Sequence, residues 1–257
     1  MTAETLIPTS PDEAAALFGD GDGTTVFAGG TILLPEIAAG RLSPGRTLML
    51  HASGLDRVTV DGSRITIGAA APVSTLVELE EDVLARFASH VGDGEIRRSA
   101  TIGGNICAPA GVDLQRGDLG APLIALGAIV RSVGRGGERT EPVEDFLGSD
   151  RGGRLVLDIS YDRGRRTAGT GKRRRHAHSF LIAGVAASTA ADGGDLRVGI
   201  AGAGSTALRA RSVESSRNPE AVLDDVRPVN DAVASARYRS TILPLLVREV
   251  LDQLGVV

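Results

Sequence analysis

Two short stretches of this 257-residue chain combine residue types able to hold an anion. The first is Phe27-Ala28-Gly29-Gly30-Thr31, followed by Ile32 and Leu33, and the second is Thr101-Ile102-Gly103-Gly104-Asn105. Each sets consecutive glycines beside a small hydroxyl residue. Glycine lacks Cβ, so backbone N–H groups can converge on a phosphate, and the threonine hydroxyl adds a donor. The first stretch leads into a helical pattern, whose N-terminus adds a favourable dipole. Acting together, the two loops could grip a pyrophosphate from two sides. Taken singly, each is equally a tight turn, the commonest use of paired glycines.

Other chemical candidates are weaker. Gly202-Ala203-Gly204-Ser205-Thr206-Ala207 matches the dinucleotide fingerprint G-x-G-x-x-A after a strand. That fingerprint needs a long amphipathic helix and a second strand next, whereas the chain runs LRARSVESSRNPE, with Asn218-Pro219 breaking any long helix. A Rossmann site is therefore not expected. His176 and His178 have the spacing of two metal ligands on a strand, with no third ligand nearby, and read as loop histidines. Cys107 adjoins the second glycine loop, but no neighbouring cation in sequence argues for a reactive thiolate, so it is given no catalytic role. Arg97-Arg98 reads equally as an anion or partner contact and as a solvated pair. Lys172 is the only lysine among 28 basic residues.

The composition excludes several classes. With 42% hydrophobic and 23% charged residues and a net charge of −4, the chain is an ordinary globular protein without a basic footprint for nucleic acid or an anionic membrane. The single cysteine rules out an internal disulfide or a four-cysteine cluster built by this chain alone. No signal peptide and no apolar run of about 20 residues is recognisable, and a cytoplasmic location is expected. Aromatic residues are scarce, at 3%, so the core must come from Val, Leu, Ile and Ala on many short elements joined by glycine turns.

Those elements follow from local signals. Ser10-Pro11-Asp12-Glu13 predicts a helix start, with the helix ending near Gly19. Strands are predicted at Thr24–Phe27 and Thr47–His51, with ILLPEIAAG helical between them. RVTV, Asp61-Gly62 and SRITIG form a hairpin with Val58, Val60, Ile65 and Ile67 on one buried face. A helix covers Val73–Val91, with Leu76, Leu79, Val83 and Phe87 on one stripe. Gly92–Asp118 reads as irregular. A helix at Leu119–Leu126 and strands at Ala128–Ser132 and Leu155–Ile159 follow. RGRRTAGTGKRRRHAH reads as loop or linker. Two strands then flank Gly193-Gly194, and two helices close the chain, one opened by Asn218-Pro219 and one near Ser240–Leu254, whose start is set by Pro244 in its first turn.

AGGTILLP, followed about 70 residues later by IRRSATIGGNICAPAGVDL, resembles the FAD-binding, or medium, subunits of molybdenum hydroxylases of the xanthine dehydrogenase and carbon monoxide dehydrogenase type. The likeness continues through GAPLIALGAIV, EPVEDFLG, Gly171–Ala187 and SARYRSTILPLLVREVL, and so covers nearly the whole chain. It implies an α+β fold: a two-subdomain FAD-binding domain of the vanillyl-alcohol-oxidase type over residues 1–168, divided near residue 54, and a small C-terminal domain over 169–257. It also implies that Phe27–Leu33 and Thr101–Asn105 hold the FAD pyrophosphate. Asp113, in an Asp-Leu dipeptide, would bind a polar part of the cofactor, Leu155 would pack on it, and Lys172 would lie near the flavin. The implied partners are a large molybdopterin subunit and a small [2Fe–2S] subunit in a dimer of heterotrimers, with electrons leaving FAD for NAD or oxygen. Ile32 departs from the family's acidic or polar residue after AGGT. Two other readings therefore stay open: a free-standing FAD-dependent oxidase or reductase, and a non-catalytic paralogue that has lost FAD.

Overall fold

The computed structural model describes residues 4–79, 83–108, 117–173 and 180–256, with Lys172 and Arg173 described by their backbone. Asp113, His176 and His178 lie outside these residues. The chain opens with β1 (Glu4–Leu6), α1 (Pro11–Phe18), β2 (Thr24–Phe27), α2 (Leu33–Ala38) and β3 (Arg46–Met49). The three strands form a parallel sheet in the order β1-β3-β2. Ser10 caps α1 by accepting from the Glu13 N–H at 3.1 Å, and Gly19 closes it at φ +62°, a left-handed value that favours glycine. Ala14 and Phe18 are thereby turned into a small core with Leu48, Leu50 and Leu155.

The second unit is built on a five-stranded antiparallel sheet. Its strands are β4 (Val58–Asp61), β5 (Arg64–Gly68), β6 (Ile129–Gly134), β7 (Arg139–Pro142) and β8 (Arg154–Asp162), in the order β4-β5-β8-β6-β7. Between β5 and β6 run α3 (Val73–Val77), α4 (Val83–Ala88), α5 (Gly94–Ser99), α6 (Ile102–Ile106) and α7 (Gly120–Ala125), and α8 (Val143–Gly148) follows β7. Ile65 and Ile67 face inward as the alternation predicts. Val60 does not: it is 51% exposed, at the far end of β4 on the sheet edge.

The C-terminal unit contains β9 (Arg166–Arg173), β10 (Leu181–Thr189), β11 (Arg197–Ala201), β12 (Leu208–Arg209), α9 (Arg211–Ser216), α10 (Val222–Asp225) and α11 (Ala236–Leu254). Its sheet is antiparallel, in the order β12-β11-β10-β9. Every residue of β10 is buried. Leu181 and Ala186 join the core that holds α4 and α7, while Ala183, Val185 and Ala187 pack with α11. A strand covered on both faces has no wet side, which accounts for LIAGVAAS reading as continuous rather than alternating.

Four expectations are corrected. The reading of RGRRTAGTGKRRRHAH as loop or linker fails over 166–173, which form β9; Gly169 and Gly171 leave no apolar period, since the strand packs through backbone approach. A Cβ on Gly169 would meet Val83 at 2.7 Å and Phe87 at 2.9 Å. The helix predicted over Val73–Val91 is two short helices, the first ending at Val77, although Leu76, Val83 and Phe87 keep the buried stripe. The stretch Gly92–Asp118 is not irregular throughout: Asp93 caps α5 and Thr101 caps α6. Finally, α11 begins at Ala236, capped by Ser235, so Pro244 lies well inside it. Proline in a helix interior costs about 3 kcal/mol. Leu243, Val247, Val250, Leu251 and Leu254, each at most 2% exposed, face the sheet, and burial of each contributes roughly 1.5–3 kcal/mol.

One polar anchor fixes the start of α11. The Arg239 side chain is 1% exposed; it donates to the carbonyls of Ile182, Val229 and Ala234 and to Asp231 at 2.8 Å. Burial opposes ionisation of Asp231, but the Ala234 N–H, Arg239 and the Val233 N–H outweigh it and hold the carboxyl below its usual range. A carboxyl depressed in the folded state contributes stability above its unfolded pKa of about 3.9 and loses it as pH falls through the folded value. Asp231→Asn should therefore lower thermal stability at pH 7, and the gap to wild type should narrow as melting is followed below about pH 4. Arg239→Met, which strands the Asp231 charge in a buried site, should cost about 3–5 kcal/mol in denaturant titration.

Candidate cofactor cleft

The first two units meet at a cleft of about 730 Å³. On one side lie Val26, Ala28, Gly29, Gly30, Thr31, Ile32 and Leu33; on the other, Ala69, Ala100, Thr101, Gly103, Gly104 and Asn105, with Leu155 in the wall. Both glycine stretches predicted from sequence therefore line one cavity. Phe27 and Ile102 do not line it. The Phe27 ring sits where a Cβ on Gly30 would be, 2.8 Å away, and Ile102 is fully buried in the core. Lys172 lies on β9, its backbone opposite Ala183 of β10.

The two stretches differ in what they offer a ligand. Among the described residues, the N–H groups of Gly29, Gly30, Thr31 and Ile32 have no protein acceptor. Gly30, second in this row of donors, has φ +69°, a left-handed turn. The second stretch is not a loop but the capped start of α6, and the N–H groups of Ile102–Asn105 are already used. Ile102 N–H binds the Ala71 carbonyl at 3.1 Å, Gly103 N–H the Ala69 carbonyl at 2.9 Å, and Gly104 N–H the Thr101 hydroxyl at 3.1 Å. Asn105 N–H binds the Thr101 carbonyl at 2.9 Å, and its side-chain Oδ1 accepts from the Leu119 N–H at 3.0 Å. The second stretch thus shapes the wall, while the first supplies free donors.

The glycines divide in the same way. A Cβ on Gly29 would lie 1.8 Å from the Ser99 carbonyl oxygen, and one on Gly103 would lie 2.7 Å from the Ala69 carbonyl. These residues are glycine because backbones touch there. Gly104 is exposed to the cleft, and a Cβ on it would meet only the Thr101 hydroxyl, at 3.0 Å. It is the position where a side chain would take up ligand space.

Three polar wall residues carry no clear sequence signal. Arg151 donates to the Ile106 carbonyl at 2.8 Å, and Arg154 donates to the Ser132 hydroxyl and to the carbonyls of Ser132, Arg135 and Gly137. Cys107 also lines the cleft; burial pushes its thiol up to about 11, against the opposing pull of Arg151, so it stays protonated at neutral pH. The third, Asp118, is 6% exposed and opens the second of two Asp-Leu dipeptides, Asp113-Leu114 and Asp118-Leu119. The resemblance points to the first dipeptide, while the second lies directly before α7 and lines the cleft.

Comparison with known proteins fits this cleft. The family described as "FAD binding domain in molybdopterin dehydrogenase" matches residues 1–159. The chain belongs to this family. Membership makes FAD the cofactor of its fold and an oxidoreductase of the molybdopterin dehydrogenase class the enzyme to which it contributes. The fold extends the likeness beyond residue 159. Carbon monoxide dehydrogenase from Hydrogenophaga pseudoflava superposes with a TM-score of 0.84 at 24% identity, covering 99% of this chain and 98% of that one. Quinoline 2-oxidoreductase from Pseudomonas putida 86 gives 0.81 at 16% identity, covering 100% and 98%. Carbon monoxide dehydrogenase from Oligotropha carboxidovorans gives 0.82 at 20% identity, covering 99% and 98%.

Within this FAD-binding fold the Gly202–Ala207 fingerprint is structural. Thr206 donates to the Leu147 carbonyl of α8 at 3.3 Å, and the two-residue β12 follows where a dinucleotide site needs a helix. The glycines of the cleft can be separated by experiment. Gly29→Ala should destabilise the protein by about 1–3 kcal/mol or more through overpacking, seen as a lower melting temperature with or without FAD. Gly104→Leu should melt close to wild type without FAD but bind FAD at least tenfold more weakly by fluorescence titration. Equal FAD affinity in Gly104→Leu would remove this face of α6 from the site.

Proposed function

We propose that this chain is the FAD-binding electron-transfer subunit of a molybdenum hydroxylase, with FAD extended across the cleft and its pyrophosphate against Gly29–Ile32. The observation that carries this reading is the row of four N–H groups, on residues lining the cleft, that have no acceptor among the described residues. Backbone donors of this kind suit a phosphate, which needs several short hydrogen bonds from a preformed concavity. The cavity lies within the range of 300–1,000 Å³ usual for small-molecule and cofactor sites. Ile32 does not impair this cradle, because the contribution there is its backbone N–H. Asn105 and Thr101 set the opposite wall, Gly104 leaves room beside the phosphates, and Leu155 supplies apolar surface.

Bound there, FAD supplies uptake and release of electrons, received from the iron–sulfur clusters of a partner and passed to an acceptor such as NAD or oxygen. The protein's part is to bind, orient and shield. With one cysteine the chain cannot itself ligate a four-cysteine cluster. The reading therefore includes a small [2Fe–2S] subunit and a large molybdopterin subunit, assembled as a dimer of heterotrimers in the cytoplasm. It also divides the chain near residue 168 into an FAD-binding domain and a C-terminal domain, and places Asp113 and Lys172 at the cofactor.

Purified chain, loaded with FAD and desalted, should keep the flavin absorption bands near one FAD per chain. Complete loss of FAD under mild conditions would overturn the proposal in favour of a paralogue without cofactor. Lys172 tests the electrostatic part. An ammonium group close to the flavin favours the negative charge that arrives on reduction, so Lys172→Met should lower the two-electron potential by about 30 mV, equivalent to about 1.4 kcal/mol. Arg173→Met is the control for a general basic-strand effect. Equal potentials in wild type and Lys172→Met would remove Lys172 from the site.

A further inference from the structure

Among the described residues three arginines line the cleft, and two of them are fully engaged by the protein. Arg41 points Nε and Nη2 at the Glu36 carboxylate, at 2.6 and 3.1 Å. Arg154 donates from every nitrogen of its guanidinium, to the Ser132 hydroxyl and to the carbonyls of Ser132, Arg135 and Gly137. Arg151 differs. Its Nη1 donates to the Ile106 carbonyl at 2.8 Å, which fixes the group at the end of α6 beside Cys107. There its charge pulls the Cys107 thiol down against the larger effect of burial. Its Nε and Nη2 have no acceptor among the described residues, and it forms no ion pair with any of them. The neighbouring Asp150 accepts from the Gly152 N–H instead, at 2.9 Å. A guanidinium with unused donors in a cavity wall suits an anion, because its planar fork matches the oxygens of a phosphate.

We infer that Arg151 is the cation that binds the pyrophosphate of FAD, from the α6 wall, complementing the backbone donors of Gly29–Ile32 on the other. This inference deepens the proposed FAD-binding function and rests on it. The pyrophosphate is a dianion, and seating it in the cleft strips it of water, which is costly unless its charge is met. Backbone N–H groups give hydrogen bonds but no net charge, so the row at Gly29–Ile32 leaves that charge uncompensated. Arg41 is neutralised by Glu36 and the donors of Arg154 are spent, which leaves Arg151 as the described arginine free to meet it. α6 sets both requirements: Gly104 leaves the space, and two residues on the Ile106 carbonyl holds the guanidinium beside it. Adenine and oxidised isoalloxazine are uncharged, so the pyrophosphate is the part of the cofactor on which a full positive charge acts most strongly.

The test uses the full chain and two probes that share the pyrophosphate, FAD and ADP. Arg151→Gln keeps a donor for the Ile106 carbonyl and removes the charge, whereas Arg151→Lys keeps the charge. Arg248→Met, on the exposed side of α11 outside the cleft, is the control for loss of a surface charge. Arg151→Gln should bind FAD and ADP more weakly by the same factor, about tenfold or more, as expected for loss of one charge-assisted hydrogen bond. Its affinities should also fall less steeply than those of wild type as salt is raised, since screening acts on the charge pair. Arg151→Lys should recover most of the affinity for both probes, and Arg248→Met should match wild type. A measurement on wild type needs no variant to fold: ADP should suppress phenylglyoxal modification of Arg151, read by peptide mass spectrometry, and leave that of Arg248 unchanged. Equal FAD and ADP affinities in wild type and Arg151→Gln, or modification of Arg151 undiminished by ADP, would overturn the inference while leaving FAD binding intact. A loss of FAD affinity alone would overturn it too, by moving Arg151 to the flavin end. Absence of FAD binding by wild type would instead refute the proposed function, so the two failures are distinguishable.

Discussion

The cleft exists because two backbones touch without a side chain between them. At Gly29 the chain entering the first glycine turn runs against the carbonyl of Ser99, so close that a Cβ would sit 1.8 Å from the oxygen. Ser99 is the last residue of α5, and Thr101, two residues on, caps α6. One contact therefore sets both walls: it brings the donor row of Gly29–Ile32 beside the turn that presents Gly104. The wall behind is fixed by the same means, with Ile102 and Gly103 donating to the carbonyls of Ala71 and Ala69 just after β5. Rigid, side-chain-free approach of this kind suits a site that must hold two phosphates at fixed distance, because the donors need no rearrangement when the ligand arrives.

The C-terminal unit is integrated with the flavin fold rather than tethered to it. Its sheet lies between α11 on one face and the helices α4 and α7 on the other, and residues of β10 belong to both cores. Gly199 and Ala121 approach so closely that a Cβ on the glycine would fall 2.2 Å from the Ala121 carbonyl. Polar links reinforce the packing. Arg86 of α4 donates to the Gly169 carbonyl of β9, Ser188 of β10 donates to the Ala125 carbonyl, and Arg209 bridges Glu144 of α8 and Glu214 of α9. Two of these acceptors are buried main-chain carbonyls, which need a partner wherever water is excluded. The arrangement brings Phe180, directly before β10, to the wall of the cleft.

Sequence patterns were most legible where the determinant is local. The α1 start was read from Ser10-Pro11-Asp12-Glu13, because a cap and a first-turn proline act within four residues. The β4–β5 hairpin was read from alternation and its turn, and the two glycine stretches from the meaning of paired glycines beside threonine. Misreadings fell where a distant partner decides. β9 looked like a linker because Gly169 makes room for Val83 and Phe87 of α4, and Pro244 looked like a helix start because the burial that outweighs its cost comes from β9 and β10. The second Asp-Leu dipeptide could have been found by its position immediately before α7, but two candidates five residues apart cannot be ranked without knowing which one reaches the cavity.

By itself, then, the sequence determined the family, the α+β class, the two glycine stretches as chemically notable, and the lack of four cysteines for a cluster, since these follow from residue identity and order. Tertiary structure alone decided which glycines face the cleft and which face a carbonyl, and that the N–H groups of Ile102–Asn105 are already committed while those of Gly29–Ile32 have no acceptor among the described residues. It also decided that Phe180 and Asp118 belong to the cleft. The physical reason is that a backbone N–H has the same identity in every residue. Whether it is available to a ligand depends on which acceptor the rest of the chain has brought within about 3 Å of it.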